Sequence, residues 1–151
     1  MNRRQAFRPL AGLAAWPWLA GASLTLTACS GRDAGRGPVE IVWDRDTCER
    51  CRMVISDRFH AAQIRDAEGR PHRFDDVGCA VFWSQEHALT GSEPEFWVAD
   101  FHSRAWVDAR QARYVGGRST PMGYGYGATL DATGPSLTLA DARAAILARG
   151  K

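Results

Sequence analysis

The chain has 151 residues, a length that favours one domain, and its 45% hydrophobic and 24% charged residues argue against wholesale disorder. The net charge of +2 belongs to the N-terminal segment: residues 1–28 hold Arg3, Arg4 and Arg8 and no Asp or Glu. Without those three arginines, 16 basic side chains face 17 acidic ones, a net of −1, which argues against nucleic-acid binding.

Residues 1–28 read as an export signal. Arg3, Arg4 and Arg8 form a positive start, Leu10 to Leu26 is mostly apolar, and Leu26-Thr27-Ala28-Cys29 places small residues before a cysteine. This resembles a bacterial lipoprotein box, in which the cysteine (here Cys29) is lipidated and becomes the first mature residue. A membrane-spanning anchor is the alternative; Pro9, Pro17 and the short apolar run weigh against it. Arg3-Arg4 hints at twin-arginine export, but its flanks fit that motif poorly. The expected location is the periplasm, attached to a bacterial membrane through the lipid. Cys48, Cys51 and Cys79 then remain, an odd number for an oxidising compartment, which calls for metal ligation or for one disulfide beside a buried thiol.

Residues 29–38 read as the lipidated cysteine and a Gly-rich tether, and 39–151 as the folded domain. Val39 to Trp43 predicts a first strand, Asp44 to Arg50 a turn presenting Cys48, and Arg52 to Ile55 a short strand running on from Cys51. Phe59 to Arg65 and His72 to Phe74 predict a hairpin around the turn Asp66 to Pro71. Asp75-Asp76 reads as helix capping for a buried helix to about Leu89, closed by Thr90-Gly91-Ser92. Strands follow at Phe96 to Ala99, Ala105 to Val107, Arg113 to Val115 and Thr129-Leu130, with one helical turn at Asp108 to Ala112. Thr138 and Asp141 open a last helix, to Arg149, which Gly150 stops. The fold class is α+β, helices on a mainly antiparallel sheet, with a ββα unit that occurs twice as a possible arrangement.

The chemistry concentrates in Cys48-Glu49-Arg50-Cys51-Arg52-Met53. Thiolates and thioethers are soft donors that select Cu(I). On a strand, Cys51 and Met53 would share a face. Three other readings stay open: core packing for Met53, a disulfide or redox pair of Cys48 and Cys51, and a zinc site of Cys48, Cys51, Cys79 and a histidine. A single CxxC does not decide among them. Cys79 sits in the first turn of a helix, where a thiolate is favoured, or is simply core. Met122 lies between Pro121 and Gly123 in a Gly-rich loop, where a mobile ligand is expected to be accessible. That loop lacks the Lys and the strand–loop–helix context of a phosphate site. No nucleophile–base–acid order is visible, so an enzyme is not expected.

The box Leu26 to Cys29, Cys51-x-Met53 with Cys48 ahead, and Ala61-Ala62-Gln63-Ile64 recur together with three further stretches. These are Phe74-Asp75-Asp76-Val77-Gly78-Cys79, Trp106-Val107-Asp108-Ala109 and Thr120-Pro121-Met122-Gly123-Tyr124-Gly125. In this order and spacing they look like the NosL family, copper-binding lipoproteins tied to maturation of nitrous oxide reductase. The resemblance implies a monomeric periplasmic Cu(I) chaperone that passes copper to a membrane-associated assembly machine and on to the reductase. It implies two similar ββα-type halves, resembling part of the organomercurial lyase architecture. It places the family's Cys-x-Met pair on Cys51 and Met53, with Met122 and Cys48 as further candidate ligands. The rival function, from the residues alone, is a thiol–disulfide oxidoreductase using Cys48 and Cys51.

Overall fold

The computed structural model describes residues 35–89 and 95–150. The expected export signal, Cys29, most of the expected tether and Thr90-Gly91-Ser92 lie outside the described residues. Within them the elements are β1 (Ala62–Arg65), β2 (Pro71–Phe74), α1 (Val77–Glu86), β3 (Glu95–Ala99), β4 (Trp106–Asp108), β5 (Arg113–Val115), β6 (Gly127–Thr129) and α2 (Leu139–Arg149). One antiparallel sheet has the order β2-β1-β3-β4, and β5 and β6 form a second antiparallel pair. A parallel bridge between Asp100 and Ala128 links the two. The α+β class thus holds. An antiparallel hairpin precedes each helix, but β3 and β4 both join the first sheet, so the halves are unequal.

Local chemistry explains the elements. Asp66 closes the β1–β2 turn by accepting the N–H groups of Glu68 and Arg70 through Oδ1, at 3.0 and 2.9 Å, an Asx turn. Helix α1 is buried on nearly every side, at Val77, Gly78, Cys79, Ala80, Val81, Trp83 and Ser84. An apolar helix of this kind belongs inside a fold. Asp76 caps it, Oδ1 accepting from Gly78 N–H at 2.9 Å. Gly78 is required by packing, because a side chain there would occupy the ring of Tyr124. Helix α2 buries Ala142 and Ile146, is capped by Thr138 with Asp141, and ends at Gly150 with φ 62°. The core joins Ile55, Ile64, Phe74, Phe96, Val98, Tyr114, Tyr124 and Ile146. Each such burial contributes roughly 1.5–3 kcal/mol.

Two expected strands are absent. Val39 to Trp43 is not a strand, because its backbone pairs with a side chain instead of a neighbouring strand. The Gln63 amide accepts from Val39 N–H and donates to Val39 C=O, each at 2.9 Å. Gly37, expected to lie in a flexible tether, is docked on the domain: its N–H donates to Glu95 at 2.6 Å, and Arg65 Nε donates to its C=O at 2.8 Å. Arg52 to Ile55 is not a strand either. Arg52 has φ 64°, which turns the chain there, and only Val54 makes a bridge, to Thr47. Cys51 and Met53 therefore do not share a strand face. Asp108 to Ala112 makes the single turn expected of it, Gln111 and Ala112 N–H both donating to Asp108 C=O at 3.0 and 3.1 Å. The strand expected at Thr129-Leu130 ends at Thr129.

Candidate metal centre

The Cys48–Met53 stretch closes on itself. Cys48 N–H donates to Met53 C=O at 2.8 Å, and Arg52 N–H returns to Cys48 C=O at 3.0 Å. Glu49 N–H donates to Arg73 C=O at 2.9 Å, setting this loop beside the end of β2. Its second anchor is Arg50, whose guanidinium lies 4.5 Å over the Phe82 ring. Arg50 also donates to Glu86 at 3.0 Å and to the Tyr124 hydroxyl at 3.1 Å. Arg50 thereby holds the loop against α1.

Four donor groups meet at that junction. The sulfurs of Cys48, Cys51 and Cys79 and a carboxylate oxygen of Asp75 all lie within 4.8 Å of one another. All three thiols are unbridged. Cys48 and Cys79 are 0% exposed and Asp75 is 2% exposed, whereas Cys51 is half-buried and opens the cluster to solvent. Cys51 donates to Asp75 Oδ2 at 3.5 Å. The other oxygen, Asp75 Oδ1, is buried without a hydrogen-bond partner.

The thiols differ in acidity. Cys48 is lowered from 9.0 to about 6, first by a hydrogen bond from the Cys79 thiol and then, against the effect of burial, by the backbone N–H groups of Cys51, Asp75 and Arg50. Hydrogen bonds to the charged form thus stabilise its thiolate. Cys51 is raised to about 11, chiefly by burial, with the Cys48 sulfur and the Asp75 charge adding to it. Cys79 is raised because it is the donor to Cys48 and is buried. Burial also raises Asp76, whose Oδ2 accepts from Met122 N–H at 3.2 Å.

The expected site residues are partly brought together. Cys48, Cys51 and Cys79 converge. Met53 follows Cys51 in the same loop but is 53% exposed. Met122, expected to be accessible, is half-buried and packs against the core, its backbone held by the cap of α1. None of the described histidines belongs to the cluster: His60 pairs with Asp57, His72 with Asp66, and His87 with the Trp83 carbonyl. Of the two aspartates expected to cap α1, Asp76 alone does so, and Asp75 belongs with the sulfurs. The sequence carried a signal for this, since a helix has one N-cap position and two aspartates precede α1. Three thiols within ion-sized separation suit a soft ion, which a low-coordinate thiolate site holds well.

The fold and this centre define a small α+β protein with a sulfur-rich, ion-sized junction between a loop and a helix. The NosL family model matches residues 38–132, and the chain belongs to the NosL family. Among solved structures it is similar to the copper chaperone NosL from Shewanella denitrificans, with 16% identity and a TM-score of 0.54. That alignment covers 76% of this chain and 89% of the other, and at this identity it bears on the fold. No curated protein matches the chain in sequence.

Proposed function

We propose that this chain is a copper carrier: it holds one Cu(I) at the Cys48–Cys51–Cys79 cluster and releases it by ligand exchange at the solvent-facing edge. The observation that carries this reading is the junction itself, three unbridged sulfurs with only Cys51 opening outward and Met53 exposed beside it in the same loop. Cys51 is the door ligand, Cys48 supplies a ready thiolate, and Met53 meets incoming or departing copper. Met122 is a supporting residue of the loop behind α1. Copper is cargo here, so catalysis is not invoked. A thiol–disulfide exchange role fits less well, because the acidified sulfur, Cys48, is the fully buried one.

Leu26-Thr27-Ala28-Cys29 supports a lipid anchor at Cys29 and work in the periplasm. Membership of the NosL family supports a monomer that hands copper to membrane-associated assembly machinery and on to nitrous oxide reductase. Incorporation of a labelled fatty acid, lost in Cys29→Ser, tests the anchor. The central experiment is an anaerobic Cu(I) titration of the reduced chain against a chromogenic Cu(I) chelator, beside Cys51→Ser and Met53→Leu. One tightly held Cu(I) in the parent, with Cys51→Ser weakened at least about 100-fold and Met53→Leu about 10-fold, is expected. Binding unchanged in Cys51→Ser sinks the proposal.

A further inference from the structure

Exposed apolar side chains gather on one stretch of the chain. Val42, Met53, Val54 and Phe59 are exposed, and Leu130 is the one other large apolar residue so exposed among the described residues. The backbone holds residues 42–47 beside 53–55: Asp44 N–H donates to Ile55 C=O at 3.0 Å, Ile55 N–H donates to Asp46 C=O at 2.9 Å, and Thr47 bridges to Val54. Arg58 extends this face, its guanidinium 5.4 Å over the Trp43 ring, and Arg104 lies 5.5 Å over the Phe59 ring. The edge is basic. Arg45, Arg58 and Arg104 are exposed and form no ion pair among the described residues. Of the acids nearby, Asp46 pairs with Arg73 and Asp57 with His60, which leaves Asp44. Aromatic rings and arginine stems settle at headgroup level, and guanidiniums meet anionic lipid phosphates.

We propose that this face, centred on Trp43 and Phe59 and edged by Arg45, Arg58 and Arg104, docks on an anionic phospholipid surface. The proposal rests on the reading of Cys29 as a lipid anchor. Chain lengths favour the bilayer as the occupant. Eight chain steps separate Cys29 from the docked Gly37, a reach of at most ~29 Å. Arg65 holds Gly37, and six steps separate Arg65 from Phe59, at most ~22 Å. An anchored chain can therefore lay this face on the membrane that holds it. Such docking needs little affinity of its own, because a short tether sets an effective concentration on the order of millimolar. A basic patch beside a lipid is also a second membrane signal, which steadies an anchor that is marginal alone. Met53 stands on this face, so the docked domain carries its copper loop at the lipid surface, close to membrane-associated acceptors.

The test is hydroxyl-radical labelling, read residue by residue by mass spectrometry, of the metal-free chain as isolated from bacterial membranes. It is placed on vesicles of phosphatidylglycerol with phosphatidylethanolamine, or of neutral phosphatidylcholine alone. Trp43 and Phe59 are expected to label at least about 5-fold more slowly on the anionic vesicles, with Leu130 unchanged within about twofold. In the double variant Arg58→Glu, Arg104→Glu that difference should vanish, because two arginines at an anionic surface carry about 30-fold in the docking equilibrium. Equal labelling of the two rings on both vesicles overturns the proposal. Slowing that includes Leu130 also overturns it, because it is then crowding and not a face. Protection that appears on native membranes and not on pure lipid overturns it in favour of a protein partner. The mass of the peptide holding Cys29 reads the anchor separately. If that peptide carries no lipid, the anchor reading fails, and the same labelling ratio at saturating vesicles still decides whether the face meets lipid.

Discussion

Arg50 Nη1 donates to the Tyr124 hydroxyl at 3.1 Å, joining the thiol loop to a segment 74 residues away. The same guanidinium bonds Glu86 and lies over Phe82, so one residue inside the CxxC holds the loop against α1. Arg50→Met keeps the aliphatic stem and removes these polar contacts. Hydrogen bonds to charged groups are worth about 1.5–3 kcal/mol each before solvent screening, and Arg50 is partly exposed, so a net loss of roughly 1–2 kcal/mol is expected. Cu(I) affinity should fall about 10-fold by chelator competition. A lowered melting temperature with unchanged affinity would assign Arg50 to stability alone.

The thiols should label in an order set by burial. Brief alkylation of the reduced, metal-free chain, read by peptide mass spectrometry, is expected to modify Cys51 and to leave Cys48 and Cys79 until denaturant is added. Insulin reduction should stay at background. Rapid labelling of Cys48, or disulfide exchange abolished by Cys48→Ser and indifferent to Met53→Leu, would favour the oxidoreductase reading.

The stability of the reduced, metal-free chain should depend on pH through the same thiols. The folded state holds Cys48 at about 6, below its ordinary 9.0. Its contribution is fully present above pH 9 and is lost as pH falls through about 6. Cys51 works in the opposite sense: raised to about 11, it contributes below pH 9 and the contribution is lost as pH rises through 11. The urea midpoint of the parent should therefore rise between pH 6 and 9 more steeply than that of Cys48→Ser. Parallel curves would show that Cys48 is not acidified.

Gly78→Ala tests the contact beneath the site. The added methyl meets the Tyr124 ring, whose backbone carbonyl accepts from Arg149 at 2.6 Å and whose hydroxyl meets Arg50. Overpacking of this kind costs about 1–3 kcal/mol. Denaturant unfolding should show that loss, together with weaker Cu(I) retention. A neutral effect would mean that the ring moves aside freely.

Periodicity and capping made much of the fold legible. Arg113–Val115 and Leu139–Arg149 form where alternation and the Thr138–Asp141 cap place them, and the hairpin before α1 forms around Asp66. Val39 to Trp43 misled because β-branched composition reports a half-buried environment, whichever group supplies the hydrogen bonds; here Gln63 supplies them. Arg52 misled because a left-handed arginine leaves no mark in a residue pattern. In the site, the spacing of Cys48 and Cys51 pointed to chemistry, but the convergence of Cys79 and Asp75 is long-range and appears only when α1 is docked. The side-chain depths of Met53 and Met122 likewise depend on how two loops close, which local pattern does not encode.

The amide of Gln63 and the Arg65–Glu95 pair grip the backbone at Gly37 and Val39, ahead of Cys48 in the chain. A pull arriving along the N-terminal segment must open those bonds before any load reaches the sulfur loop. The entry to the domain is thus a strain relief, like the clamp on a cable, and the ion-holding loop is mechanically shielded from whatever lies upstream.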